Sequence, residues 1–181
     1  MRSIRRGGRY LRVADPSWVD PLDGAHSTRH GGRWNPAGSF PVCYLNRDID
    51  TARANARYFL ERRLEGQPFT VDDFDADELP VLVEAEVPEA DFVDVVTDEG
   101  CVAAGLPSIY PLDDSGAAIA WEVCQPIGQT AWDTGSPGIA CRSAAQTAPA
   151  DGEELAWFQR EGRLQPPGRR KFRDWYGRID W

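Results

Sequence analysis

The chain has 181 residues, 41% of them apolar, with 20 Lys and Arg against 29 Asp and Glu and a formal net charge of −9. That length suits one domain able to bury a real core, and the acidic balance argues against wholesale binding to DNA or anionic membrane. No run of about 18 apolar residues occurs, so no spanning helix is expected, and Met1-Arg2-Ser3-Ile4-Arg5-Arg6 leads into no apolar signal segment, which makes the cytoplasm the expected compartment.

The charge is unevenly spread. Residues 1–12 carry five Arg and no acid, residues 13–162 carry nine Arg against 27 acids, and residues 163–181 carry six bases against two acids. Between Arg63 and Arg142 there are 17 acids and no Lys or Arg, so an anionic ligand must find its bases outside that stretch. Cys43, Cys101, Cys124 and Cys141 form no CxxC pair, which fits reduced, buried thiols better than a disulfide frame or a zinc site.

In chain order, a short strand is expected at 10–14, then a long polar loop from Asp15 to Pro36. Phe40–Leu45 reads as a buried strand. Asp48 or Asp50 supplies N-cap chemistry for a helix to about Leu64, with Ile49, Ala52, Ala56, Phe59, Leu60 and Leu64 on one stripe. An acidic connector (66–78) leads to strands at 79–87 and 92–96, the first alternating in the period-2 manner. A short helix follows at 97–105 and a longer one from about 115 to 130, which Pro126 should bend or restart. Strands at 138–141 and 155–159 precede a basic tail. Helices and strands alternate irregularly, so the expected fold is a single α+β domain. Its expected divisions are a basic N-terminal extension (1–9), the domain (10–160), and a basic aromatic tail packed on it (161–181).

Chemistry concentrates at Gly31-Gly32-Arg33-Trp34-Asn35-Pro36. Paired glycines permit close backbone approach, and the following Arg33 offers a bidentate fork to phosphate or carboxylate. Asn55, three residues after Ala52 and four before Phe59, lies on the apolar stripe and points inward, where an amide needs partners. Tyr44 and Ser143 end strands, where sites are commonly assembled. His26 and His30 lie in a segment that reads as loop and lack a third ligand at a suitable spacing, so no metal site is expected. The tail interleaves Arg169, Arg170, Lys171 and Arg173 with Phe172, Trp175, Tyr176 and Trp181. We read it as packing onto the body, not as a direct nucleic-acid contact.

The order Tyr10-Leu11-Arg12, a Gly-rich polar loop, GGRWNP (31–36), PVCYL (41–45), an amphipathic helix, WEVCQPIG (121–128) and GIACRSA (138–144) resembles the RES domain, a family of bacterial toxins from toxin–antitoxin pairs. The resemblance implies an ADP-ribosyltransferase-like fold with a core of mixed and antiparallel strands flanked by helices. It also implies breakdown of NAD⁺ as substrate, with no separate cofactor, by attack of phosphate or water at the nicotinamide-bearing carbon. A helix-turn-helix (Xre-like) antitoxin as partner is implied too, in a homodimer or a toxin–antitoxin hetero-oligomer. Carried over by position, Arg33, Asn55 and Ser143 fall at catalytic places, and Arg12, Arg33, Tyr44 and Ser143 at NAD⁺-binding ones. At Asn55 the chain departs from the family, which has Glu there. An amide brings no charge to an oxocarbenium-like transition state, so Asp48, Asp50, Glu84, Glu86 and Glu122 are considered as substitute acids. Two other readings stay open: a RES-fold module that binds nucleotide or protein with weakened catalysis, and a mono-ADP-ribosyltransferase acting on a macromolecule.

Overall fold

Tyr10, Arg12 and Ala14 alternate with Leu11 and Val13, which sends two sets of side chains to opposite sides of the first strand, β1 (Ser3–Ala14). The computed structural model describes residues 1–64, 67, 71–75, 77–160, 164 and 168–176. After β1 come α1 (Ala25–His30), β2 (Val42–Asn46), α2 (Ile49–Arg63), a 3₁₀ turn (Val71–Asp73) and β3 (Val81–Val95). Then follow α3 (Asp98–Ala103), α4 (Trp121–Asp133), β4 (Gly138–Arg142), β5 (Glu153–Phe158), β6 (Arg169–Arg170) and α5 (Phe172–Trp175).

The strands run β1-β2-β5-β4-β3-β6, and β1 also pairs with β3, so five of them close into a ring. β1 and β3 are antiparallel from Ser3↔Val93 to Ala14↔Val81, whereas β1 meets β2 only at Leu11↔Asn46. β3 and β4 are the parallel pair. Inside the ring lie Tyr10, Cys43, Leu45, Val83, Ala85, Ala140 and Leu155. Outside, one cluster joins Trp34, Phe40, Val42 and Phe158 to α3 and α4, and a second joins Leu11, Leu82 and the α2 stripe to the tail. The α+β class with a mixed sheet is therefore as expected.

Several boundaries differ from the expectation. β1 begins at Ser3 and not at residue 10, so residues 3–9 belong to the sheet. Their arginines meet acids across the strand pair, Arg5 with Asp91 and Arg9 with Glu84, a pattern that local hydropathy does not reveal. The two strands expected at 79–87 and 92–96 are one, β3. The loop expected over 15–36 contains α1, too short to show a helical period. α4 starts at Trp121, later than expected, and runs through Pro126; the residues before it form a turn in which the Asp113 carboxylate accepts from Ser115 N and Ala117 N.

The helix expected to follow Asp48 is α2, and the Asp48 side chain accepts from Thr51 N at 2.8 Å. Parts of the acidic connector (65, 66, 68–70 and 76) and of the tail (161–163, 165–167 and 177–181) lie outside the described residues. Within the described tail, Phe172, Trp175 and Tyr176 are buried against the α2 side of the ring. All four cysteines are free and buried. Among the described residues no helix is long and apolar enough to cross a membrane.

Candidate active site

The GGRWN loop braces β2 against α4. Asn35 is fully buried: its Nδ2 donates to Ser27 O (2.8 Å) and Phe40 O (3.1 Å), and its Oδ1 accepts from Tyr44 Oη (2.9 Å). The same phenol accepts from Trp34 N at 3.0 Å. Gly32 is required here because a β-carbon would stand 2.4 Å from Tyr44 Oη. On the other side, Gln125 Nε2 donates to Gly32 O at 3.0 Å, and Arg33 Nη1 donates to Ile119 O at 2.8 Å, just before α4. Burial pushes the Tyr44 phenol far up; the Trp34 N–H opposes the shift, the Glu154 charge adds to it and Arg33 opposes it. Tyr44 therefore stays a neutral hydrogen-bonding ring with an acid and a base in its field.

On the outer face of the ring, Asn46 of β2 and Cys141 of β4 are the cross-strand neighbours of Glu154 of β5. Ser143, which follows β4 and is held by its own N–H to Gly152 O (2.8 Å), donates through Oγ to Glu154 Oε1 at 2.5 Å. From above, Asn55 of α2 donates through Nδ2 to the same Oε1 at 2.9 Å and to Asn46 Oδ1 at 2.7 Å. Because a carboxylate only accepts, the Asn55 amide must turn its nitrogen to it. Asn46 is itself oriented by donating to Leu11 O at 3.1 Å. The structure thus brings Asn55 and Ser143 together, on a carboxylate.

A cleft of about 450 Å³ is lined by Ala54, which precedes Asn55 on α2, by Arg57, Tyr58, Glu61 and Arg62 of the same helix, and by Gln146 and Thr147, which follow Ser143 in the chain. Arg57 pairs with Glu61 at 2.6 Å, and the Arg62 guanidinium lies 5.8 Å from the Tyr58 ring centre and 6.0 Å from that of Trp121 at the start of α4. The cleft is therefore walled by α2, carries two arginines and the Tyr58 ring, and is large enough for part of a dinucleotide.

Arg12 is not brought to this group. It is 5% exposed and lies with the ring-interior set, where Nη1 donates to Cys43 Sγ (3.0 Å) and Asp23 O (3.1 Å), and its guanidinium lies 5.1 Å from the Trp18 ring centre. Cys43 and Tyr44 are successive residues of β2, so Arg12 and Tyr44 face opposite sides of the sheet. Of the acids considered as substitutes, Asp48 caps α2, Asp50 pairs with Arg53, and Glu84 pairs with Arg9 and Arg170. Glu86 is exposed on β3, and Glu122 is exposed in the first turn of α4. Glu154 precedes the strand expected at 155–159 but lies within β5, which begins at Glu153. Its signal is the outward set Glu154, Ala156, Phe158, an acid placed in line with two buried apolar residues. His26 and His30 do share a helix, with ring centres 4.5 Å apart. Among the described residues, no three His, Cys, Asp or Glu are grouped to hold a metal.

The RES domain family matches residues 9–170 of this sequence. The chain belongs to the RES domain family. This RES domain is 30% identical over 129 residues to the NAD(+) phosphorylase MbcT of Mycobacterium bovis and to that of Mycobacterium tuberculosis. The match takes in 66% of this chain and only 59% of the length of those relatives. The RES domain also superposes on a chain of the crystal structure of the M. tuberculosis MbcT-MbcA toxin-antitoxin complex. The TM-score is 0.71 at 23% identity, covering 96% of this chain and 91% of that one, so the two share a fold.

Proposed function

We propose that this RES domain cleaves NAD⁺ at the nicotinamide–ribose bond, with phosphate or water as acceptor. The observation that carries the reading is the convergence of Asn55 and Ser143 on the outer face that also carries Tyr44. The NAD(+) phosphorylase name of the MbcT relatives supports it. In the reaction the C1′–N bond breaks and its electron pair leaves with neutral nicotinamide. An oxygen of the acceptor then donates a pair to C1′, giving ADP-ribose 1″-phosphate from phosphate or ADP-ribose from water.

Each residue has a physical part in this. Arg33, held at Ile119 O, presents the remainder of its guanidinium as a fork to the pyrophosphate. Arg57 and Arg62 line the cleft and add positive potential for a dinucleotide or an incoming phosphate. Tyr44 offers its ring to the nicotinamide, since both lone-pair and proton sides of its hydroxyl are committed to the loop. Ser143 and Asn55 place polar groups at the ribose. Arg12, from inside the ring, supports the strand that carries Tyr44 and contributes no direct contact.

The partner we propose is a protein antitoxin of helix-turn-helix (Xre-like) type that covers the site, a reading supported by the structural neighbour, which belongs to a toxin-antitoxin complex. Away from the arginines of the site, the acid-rich remainder of a chain of net charge −9 suits a basic partner face. The test is incubation of purified protein with NAD⁺ and phosphate, following nicotinamide by chromatography. Release by the wild type that Arg33→Ala abolishes is the expected result. Absence of release by the wild type overturns the reading in favour of a binding module, and label transferred from NAD⁺ to protein or RNA overturns it in favour of a transferase.

A further inference from the structure

We propose that Glu154 of β5 supplies the negative charge at the reacting ribose, the family's helical carboxylate having been relocated from α2 to the strand that faces it. The inference rests on the NAD⁺-cleaving reading and deepens it. Where the family has Glu this chain has Asn55, and the Asn55 amide donates directly to Glu154 Oε1 at 2.9 Å, so the charge has moved across one hydrogen bond.

Three features mark this carboxylate as a working group. Ser143 and Asn55 both donate to Oε1, and no donor among the described residues reaches Oε2. Among the described residues Glu154 also pairs with no cation. Its neighbour Glu153, on the inward side of the same strand, is instead neutralised by two hydrogen bonds from Arg6 at 2.7 and 2.8 Å. Finally, the donors are themselves fixed, Asn55 by Asn46 and Ser143 by Gly152, and a preorganised charge needs no rearrangement when the cation forms. As the C1′–N bond breaks, its electron pair leaves with nicotinamide and positive charge grows on the ribose; Glu154 stabilises that cation through space and forms no bond to it. Asn55 and Ser143 orient Glu154 as well as meeting the ribose.

The experiment compares wild type, Glu154→Gln, Glu154→Asp and the exchanged pair Asn55→Glu/Glu154→Asn. It measures nicotinamide release, melting temperature, and calorimetric affinity for NAD⁺ against NADH, which differ in the charge of the nicotinamide ring. Glu154→Gln is expected to lower kcat by about 10²–10³ and to erase a preference for NAD⁺ over NADH, with melting close to wild type. Glu154→Asp should keep the preference, and the exchanged pair should recover most of kcat. A folded Glu154→Gln that retains wild-type kcat and preference overturns the assignment, as does an exchanged pair that melts like wild type and is no faster than Glu154→Gln. Should wild type release no nicotinamide yet prefer NAD⁺, and Glu154→Gln lose that preference, the turnover reading fails while the charge assignment stands. A wild type with neither release nor preference overturns both.

Discussion

Gly128 of α4 lies against the backbone of Trp34, so closely that a β-carbon on it would stand 1.7 Å from the Trp34 carbonyl oxygen. The opposing atom is backbone and not the end of a flexible side chain, so Gly128→Ala forces α4 and the GGRWN loop apart. We expect a stability loss of about 1–3 kcal/mol, the usual cost of overpacking, together with a raised KM for NAD⁺ as Arg33 shifts. Thermal melting and steady-state kinetics check this; a variant with wild-type Tm and KM contradicts the tight loop–helix contact.

Arg33 and Arg12, which the sequence offers as a pair, should separate by phenotype. Arg33→Ala loses the bond to Ile119 O and a long contact with Cys124 Sγ and is expected to cost about 1 kcal/mol while abolishing NAD⁺ turnover. Arg12→Ala leaves Asp23 O and Cys43 Sγ without their partner inside the ring and uncovers Trp18, with an expected cost of about 2–3 kcal/mol. Urea unfolding of both variants tests the contrast, and equal destabilisation would falsify it.

Adjacent glutamates of β5 should also differ. Glu153 is 8% exposed and takes a bidentate pair from Arg6, which stitches β1 to β5 where the ring is least paired. Glu153→Gln is expected to cost about 2–3 kcal/mol, since it strands a partly buried guanidinium. Glu154→Gln removes an acid that balances no cation among the described residues and should cost less than about 1 kcal/mol. Denaturant midpoints decide it, and the reverse ranking sinks the assignment of the two faces.

Stability should fall in alkaline solution. Burial pushes the Tyr10 phenol up to about 12, with the Glu153 charge adding, and burial pushes Tyr176 up to about 12 as well. An unfolded tyrosine ionises near pH 10. Below about pH 10 both states are protonated and the contribution is complete; between about 10 and 12 the unfolded state loses its protons first, so stability declines. Urea midpoints at pH 8, 10 and 11 should drop over the last interval, and Tyr176→Phe should make the drop shallower. A midpoint that holds constant to pH 11 rules this out.

Much of the molecule was legible from local pattern. The α2 stripe of Ala52, Ala56 and Leu60 is a 3.6-residue period and is buried as read. GGRWNP stood out because two glycines, an arginine and a buried tryptophan have few uses together, and the aromatic tail packs because Phe172, Trp175 and Tyr176 bury more apolar area than solvent contact would repay. β1 was cut short because Gly7, Gly8 and five arginines hide an alternation that only the acids of β3 make favourable. Length, charge, the family motifs and the missing charge at Asn55 are thus properties of the sequence itself. Which side of the pleat each group takes, and which residue stands opposite on the next strand, was decided by tertiary structure. Strand register and ring closure join residues about a hundred positions apart, such as Asn55 and Glu154, and no local period encodes that pairing. That is why Arg12 and Arg33 part company, and why the carboxylate beside Asn55 comes from β5.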